Sequence, residues 1–349
     1  MKNIVFTGGG TLGHVMPNIY LIEELKDCGI YYIGSNGIEK QKILENNIKY
    51  YEICSTKLQR GKLFTNFKIP FVLIKAINQA KKILKEVNPD VIFSKGGYVS
   101  LPVCLAARKL KIPIISHESD YSFGLANKII LRLCNIMCVN FKNLENANKK
   151  VVYTGPIFSS SFESKTTNKL GINLNSNKPT ILICCGSLGS KIVNENLFKI
   201  VKDLEEKFNI IHIVGKGNIE TKSFGNYNVF ESRSDMGNLY NIAEFVIGRA
   251  GAGVTAESYF KNLPMLLIPL QNKATRGDQV LNAEYYKNLG VAEILLEKDL
   301  SAEKLKLSIE NFYKDLNKFK ENYKKTPKIN GKEKVLKLIY DYLNEGNKK

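Results

Sequence analysis

The chain has 349 residues, 44% of them hydrophobic, with 10 Pro and 26 Gly, which suits two domains of about 150 residues each and excludes intrinsic disorder or a fibrous chain. Against 33 acidic side chains stand 51 basic ones, a formal charge of +18, so an anionic partner is expected: nucleic acid, a membrane surface or a phosphorylated substrate. No apolar run approaches the roughly 20 residues of a membrane span, the N-terminus lacks a secretory h-region, and seven irregularly spaced Cys fit a reducing compartment. A cytoplasmic chain is expected. Cys134 with Cys138, and Cys184 with Cys185, come without a His or acidic cluster, so no metal site is expected.

In chain order, short β-rich runs at residues 3–6, 31–33, 50–54, 91–93, 112–116, 136–139 and 151–154 alternate with helical patterns. This is the signature of a parallel sheet wrapped by helices. A polar Ser, Thr and Asn stretch interrupts the rhythm at residues 159–178. It resumes with runs at 180–184, 210–214, 228–230, 245–247, 265–268 and 292–295. Two doubly wound α/β domains are predicted, over residues 1–158 and 179–326. The segment 159–178 links them. Residues 327–349 form a C-terminal helical segment for which packing back on the N-terminal domain is one placement.

Between residues 57 and 85 stand Lys57, Arg60, Lys62, Lys68, Lys75, Lys81, Lys82 and Lys85, with no acidic residue. Phe64, Phe67, Ile69, Phe71, Val72 and Ile74 lie among them. Such a mixture suits an anionic lipid surface; it equally describes a surface helix with a buried apolar side. Phe67, Phe71 and Ile74 follow a helical spacing, with Lys68 and Lys75 along its flank.

Three glycine-rich turns carry the chemistry. The first strand runs into Gly8-Gly9-Gly10-Thr11-Leu12-Gly13-His14, whose glycines let backbone amides approach a phosphate at a helix N-terminus. A dinucleotide site would need an acidic residue at the end of the second strand, where the chain offers Gly34, Ser35 and Asn36. His14 follows the loop directly. A second cradle, Gly186-Ser187-Leu188-Gly189-Ser190, opens a helix in the second half. The third turn, Gly248 to Gly253, is followed by Glu257, whose carboxylate can accept two hydrogen bonds from a ribose diol or act as a partner of the helix dipole.

The ordered set Gly9-Gly10-Thr11-x-Gly13-His14, Lys95-Gly96-Gly97-Tyr98-Val99-Ser100-x-Pro102, His117-Glu118, Gly186-Ser187-x-Gly189 and Arg249-x-Gly251-Ala252 with Glu257 resembles the MurG family. Members of that family are N-acetylglucosaminyltransferases that convert lipid I to lipid II in peptidoglycan synthesis. The likeness covers nearly the whole chain and includes Arg60-Gly61-Lys62. It implies a GT-B fold, two doubly wound parallel-sheet domains facing a cleft, with UDP-GlcNAc as donor and undecaprenyl-diphosphoryl-MurNAc-pentapeptide as acceptor. It further implies donor contacts from Ser187, Ala252, Gly253, Glu257, Gln279 and the backbone around Arg233, with Thr11, Leu12 and Gly13 reaching the donor sugar. On the acceptor side it implies Gly9, Gly10, Tyr98, His117 and Glu118. Two departures stand out: Asp120 in His117-Glu118-Ser119-Asp120 replaces an amide, and Thr154-Gly155-Pro156-Ile157-Phe158-Ser159 lacks an arginine.

An inverting transfer is expected, and because a hydroxyl is a poor nucleophile until its proton has somewhere to go, His14 is the expected base. No cofactor or metal is expected, nor nucleic acid as a partner. Phe67, Phe71, Ile74, Lys68 and Lys75 are the expected contacts to anionic inner-leaflet lipid, with the protein peripheral on the cytoplasmic face of the bacterial cell membrane. Rival readings are a diacylglycerol glycosyltransferase, a UDP-GlcNAc 2-epimerase and a non-enzymatic lipid- or polyanion-binding protein.

Overall fold

A strand covered on both faces needs side chains that pack on each, and most of the thirteen strands among the described residues are of this kind. The thirteen are β1 (Lys2–Thr7), β2 (Cys28–Gly34), β3 (Lys49–Glu52), β4 (Val91–Ser94), β5 (Ile114–Glu118), β6 (Ile136–Val139), β7 (Val151–Tyr153), β8 (Thr180–Cys184), β9 (Asn209–Ile213), β10 (Tyr227–Phe230), β11 (Phe245–Gly248), β12 (Met265–Leu267) and β13 (Ala292–Ile294). The computed structural model describes residues 2–56, 67, 69–159, 162, 170–218, 222–271, 277–326 and 329–345. The expectations placed on Arg60, Gly61, Lys62 and Lys68 lie outside the described residues.

The chain divides into two compact units, Met1–Ser159 with Ile329–Lys349, and Ser160–Lys328. In the first, seven strands pair in parallel in the order β3-β2-β1-β4-β5-β6-β7; in the second, six pair in parallel as β10-β9-β8-β11-β12-β13. Most strands begin or end one to three residues away from the runs in the sequence, and two of these differences have a local cause. β5 starts at Ile114 rather than 112, because Pro113 has no N–H to give to a ladder. β3 stops at Glu52, because the Cys54 N–H is donated to the Gln79 side chain (2.8 Å).

Alternation along the first sheet decides which helices lie where. Ile4, Phe6, Val91 and Phe93 pack with Val15 and Ile19 of the helix Leu12–Ile22, Ile43 of Ile38–Glu45, and Val335, Ile339 and Leu343 of Lys332–Glu345. Val5 and Ile92 face the other way, onto Ala80 and Leu84 of Ile69–Val87, Val103 of Gly97–Lys109 and Ile130 of Leu125–Leu133. The C-terminal helix thus completes the first unit's core. Val335, Ile339 and Leu343, four apart, each contribute about 1.5 to 3 kcal/mol of burial. A Lys332–Glu24 ion pair (2.7 Å) fixes its start.

Both sheets reverse strand order once near the centre, between β1 and β4 and between β8 and β11. At such a point the chain leaves the two neighbouring strands toward opposite faces, and a crevice opens at their carboxyl ends where ligands bind. The glycine-rich turns fall at these two places.

Candidate active site

In the first unit, β1 delivers Gly8 to Gly13 into the N-terminus of the helix Leu12–Ile22, and its neighbour β4 delivers Gly96-Gly97 into that of Gly97–Lys109. The two turns touch: a Cβ on Gly97 would stand 3.3 Å from the Gly9 carbonyl oxygen and 3.4 Å from the His14 ring. Gly10 takes φ +85°, and a Cβ there would lie 2.8 Å from the Tyr98 ring, so this position demands glycine twice over. Leu12 and Gly13, in the first turn, belong to the group of N–H donors that a helix leaves without an internal acceptor. N–H groups so placed are of the kind that can meet an anion.

His14 Nδ1 lies 3.1 Å from the Gly9 carbonyl oxygen and 3.4 Å from Thr11 Oγ1. A carbonyl oxygen can only accept, so a hydrogen bond there puts the hydrogen on Nδ1 and, in the neutral ring, the lone pair on Nε2. Beneath the loop lies Glu39, 0% exposed. Its Oε2 accepts the Gly10 N–H (3.1 Å), and its Oε1 accepts the Ser35 N–H (3.0 Å) and the Ser35 hydroxyl. Gly10 therefore serves the loop's shape, its amide committed to Glu39. A ribose-binding acid would stand at the end of β2, and Glu39 does not: it lies in the first turn of the next helix, Ile38–Glu45, and turns back on the glycine loop.

Tyr98 packs its ring on Gly10, and burial raises its hydroxyl's pKa, with Glu39 adding to the rise. His117 and Glu118, at the end of β5, are both buried. His117 Nε2 donates to the Gly155 carbonyl oxygen (3.4 Å), and burial keeps the ring neutral, its pKa well below the usual imidazole range. The Glu118 carboxylate accepts from the N–H groups of Ser119 (2.9 Å), Asp120 (3.1 Å) and Gly124 (2.9 Å) and from Asn127 Nδ2 (2.9 Å). Glu118 therefore shapes the 119–124 loop from below, and His117 holds the turn at Gly155. Lys95, also buried, donates to Ser119 Oγ; burial pushes its ammonium down to about 8 against the opposing pull of Glu118 and Asp120. Phe158, where an arginine was looked for, is buried.

In the second unit, β8 runs through Gly186 to Gly189 into the helix Lys191–Phe198, and β11 through Arg249 to Gly251 into Ala252–Phe260. Ser187 is exposed at the tip of the first turn. Arg249 is buried and ties the turns together: Nη2 donates to Ser190 Oγ (2.8 Å) and pairs with Glu297, and Nη1 donates to the Ile268 carbonyl oxygen (3.0 Å). Glu257 stands one turn into the helix Ala252–Phe260, and Tyr240 donates its hydroxyl to Glu257 Oε2 (3.1 Å). Burial raises the Glu257 carboxyl to about 7, with the Tyr240 hydrogen bond pulling the other way. Gln279, on the helix Asp278–Asn288, accepts the Leu270 N–H on Oε1 (2.9 Å), which fixes its NH2 group as the end that can meet a sugar hydroxyl. Arg233 is committed elsewhere, held by both Asp235 oxygens (2.7 and 2.6 Å), by the Leu170 carbonyl oxygen and over the Phe230 ring.

Gly253 differs from Gly10. Its φ is not in the left-handed region, and a Cβ there would meet nothing within 4 Å. Neither backbone nor packing requires glycine at this helix start; a ligand lying against the turn would.

Phe67, Phe71 and Ile74 are 76%, 67% and 58% exposed. The helix Ile69–Val87 buries instead Ala76, Ala80, Leu84 and Val87, and in its first two turns Ile69, Val72 and Leu73 are half-buried while Phe71 and Ile74 stand exposed. Lys75 is exposed on the same helix. Among the described residues, no helix is long and apolar enough to cross a membrane.

The glycosyltransferase family 28 N-terminal domain matches residues 4–139, and the family 28 C-terminal domain residues 180–339. The chain is 43% identical, over 98% of its length and 99% of the relative's, to a protein of Clostridium botulinum (strain Kyoto / Type A2) named UDP-N-acetylglucosamine–N-acetylmuramyl-(pentapeptide) pyrophosphoryl-undecaprenol N-acetylglucosamine transferase. It is 42% identical to the same-named protein of Clostridium tetani (strain Massachusetts / E88), over 99% of each. Its fold matches the crystal structure of Acinetobacter baumannii MurG with a TM-score of 0.76 at 26% identity, covering 98% of this chain and 100% of that one. With both family 28 domains in order on two parallel-sheet units, and full-length relatives of one name, the chain belongs to the MurG family of glycosyltransferase family 28.

Proposed function

We propose that this chain transfers GlcNAc from UDP-GlcNAc to the C4 hydroxyl of undecaprenyl-diphosphoryl-MurNAc-pentapeptide, with inversion at the anomeric carbon. The observation that carries the reading is the full-length likeness to the Clostridium transferases. The site chemistry agrees with it. The second unit takes the donor: Glu257 holds the ribose diol, Gln279 a sugar hydroxyl, and Ser187 with the N-termini of Lys191–Phe198 and Ala252–Phe260 faces the diphosphate. As UDP leaves, its oxygens gain charge, and preformed N–H dipoles stabilise that charge without reorganising. The first unit takes the acceptor diphosphate on the turns Gly8 to Gly13 and Gly96-Gly97, and His14 Nε2 receives the hydroxyl proton.

Labelled UDP-GlcNAc offered with short-chain lipid I, with diacylglycerol or with no acceptor tests this. Label is expected in a lipid-linked disaccharide with lipid I alone. A glycosylated diacylglycerol, or UDP-ManNAc formed without acceptor, would favour the rival activities.

The role given to Gly253 has its own test. Gly253→Ala is expected to leave the melting temperature unchanged or slightly raised, since alanine favours a helix by about 0.5 to 1 kcal/mol, while UDP affinity falls. Calorimetry showing wild-type UDP affinity would remove the turn from the donor site.

The exposed Phe67, Phe71 and Ile74 beside Lys75 support peripheral docking on anionic lipid, which brings the enzyme to an acceptor whose tail cannot leave the bilayer. Each inserted side chain contributes by area at about 25 cal/mol per Å², and each cation near the surface about 1 kcal/mol. Phe67→Ser with Phe71→Ser is expected to weaken co-sedimentation with anionic vesicles at every salt concentration, and Lys75→Glu with Lys82→Glu mainly at low salt, where charges are unscreened. Because both Phe rings are exposed, the Phe variant should melt like wild type. Unchanged vesicle binding in both variants would refute docking through this helix.

A further inference from the structure

A buried carboxylate under an anion-binding loop is electrostatically unwelcome, so Glu39 needs a reason to be there. Its surroundings are built around it: a Cβ on Gly9 would lie 2.5 Å from Glu39 Cδ, and one on Gly37 2.6 Å from Oε2. The donors that satisfy it are Ser35, through N–H and hydroxyl, and the Gly10 N–H at 3.1 Å. That last N–H belongs to the same peptide group as the Gly9 carbonyl, which lies 3.1 Å from His14 Nδ1. The structure has no cis peptide bond among the described residues, so this C=O and N–H point in opposite directions. The Gly9–Gly10 peptide therefore stands as a bridge, with the carboxylate on its N–H side and the imidazole on its C=O side.

We propose that Glu39 is a positioning residue for the transfer: acting through the Gly9–Gly10 peptide, it holds His14 as the Nδ1–H tautomer and keeps the Nε2 lone pair for the acceptor hydroxyl. A carboxylate accepting the amide hydrogen polarises the peptide and makes its oxygen a stronger acceptor, since hydrogen bonds in a chain reinforce one another. When Nε2 takes a proton, the imidazolium's charge is felt by that oxygen and, beyond it, by Glu39. The role is that of the carboxylate that orients a catalytic histidine in a hydrolase triad, with a peptide group placed between the two. The Thr11 hydroxyl, 3.4 Å from Nδ1, can share the same hydrogen. The titratable groups facing this chain are Tyr32, Tyr50 and Tyr98, whose hydroxyls burial raises, and Lys95 behind Gly8. The tyrosines stay neutral through the range in which an imidazole titrates.

The inference rests on His14 being the base, and the test separates the two. The chain has three His, so ¹⁵N-histidine spectra of the intact protein, with His14→Gln to assign its signals, read the tautomer directly. Wild type is expected to show Nδ1–H at high pH. Glu39→Gln, isosteric and uncharged, is expected to increase the Nε2–H form, to lower kcat by about 10-fold and to move the acidic limb of the kcat profile to lower pH, leaving donor KM near wild type; its NH2 must face either the Gly10 N–H or the Ser35 donors, so a lower melting temperature is expected as well. An Nε2–H tautomer in wild type overturns the relay, as does a Glu39→Gln enzyme with wild-type tautomer and pH limb. Turnover of His14→Gln within threefold of wild type would overturn the base assignment instead, with the tautomer spectra showing which of the two had failed. If Glu39→Gln does not fold, Glu39→Asp takes its place, drawing the carboxylate back from the Gly10 N–H: a smaller shift of the pH limb in the same direction is expected, and a wild-type limb and tautomer overturn the relay.

Discussion

His14→Ala is expected to lower kcat by about 10²-fold or more, the scale of general-base assistance, with UDP affinity unchanged. The residue belongs to the first unit and the donor contacts proposed above to the second, so the loss should appear in the chemical step. Its Nδ1 is already engaged with the Gly9 carbonyl oxygen, so Nε2 is the nitrogen whose removal is measured. Turnover within threefold of wild type would take His14 out of the mechanism.

The second large effect is expected at Glu257. Two charge-assisted hydrogen bonds to a ribose diol are worth about 1.5 to 3 kcal/mol each, so Glu257→Ala should raise donor KM about 10²-fold or more and change kcat little. The raised carboxyl adds a pH signature. At a pKa of about 7 the group is partly protonated in neutral solution, and a diol donating to it favours the ionised form. UDP binding should therefore release part of a proton and weaken as pH falls below 7, and Glu257→Gln should abolish that dependence. For the fold the sign is opposite. A folded-state pKa above the unfolded 4.5 means that the folded chain binds the proton more tightly. That contribution to stability is complete below pH 4.5 and is lost as pH rises through 7. Equal affinity for UDP and 2′,3′-dideoxy-UDP would show that the carboxylate does not hold the diol.

Much of this architecture is legible in the sequence because parallel strands covered on both faces read as unbroken apolar runs. Thr180–Cys184 and Ile136–Val139 have in the structure the limits read from the chain. The glycine turns are legible too, since few other residues accept a φ such as that of Gly10. What a sequence hides is the partner across space. Glu39 meets a peptide 29 positions earlier, and nothing in its local pattern says that its carboxylate turns inward. His117 and Glu118 stand out as a motif, yet only the pairing of β5 between β4 and β6 reveals that both are enclosed. Phe67 and Phe71 have a spacing that fits a buried or an exposed face equally well; the exposure follows from Ala76, Ala80, Leu84 and Val87 forming the stripe that packs.

The most direct measurement is the linkage formed in a single reaction. With UDP-GlcNAc carrying ¹³C at C1 and a water-dispersible lipid I, the wild-type enzyme is predicted to give one β-1,4-linked disaccharide on the lipid for each UDP released, with the C1 signal lost on the same time course from the donor. An α linkage, free GlcNAc or UDP-ManNAc in place of that disaccharide would contradict the inverting transfer proposed for this chain.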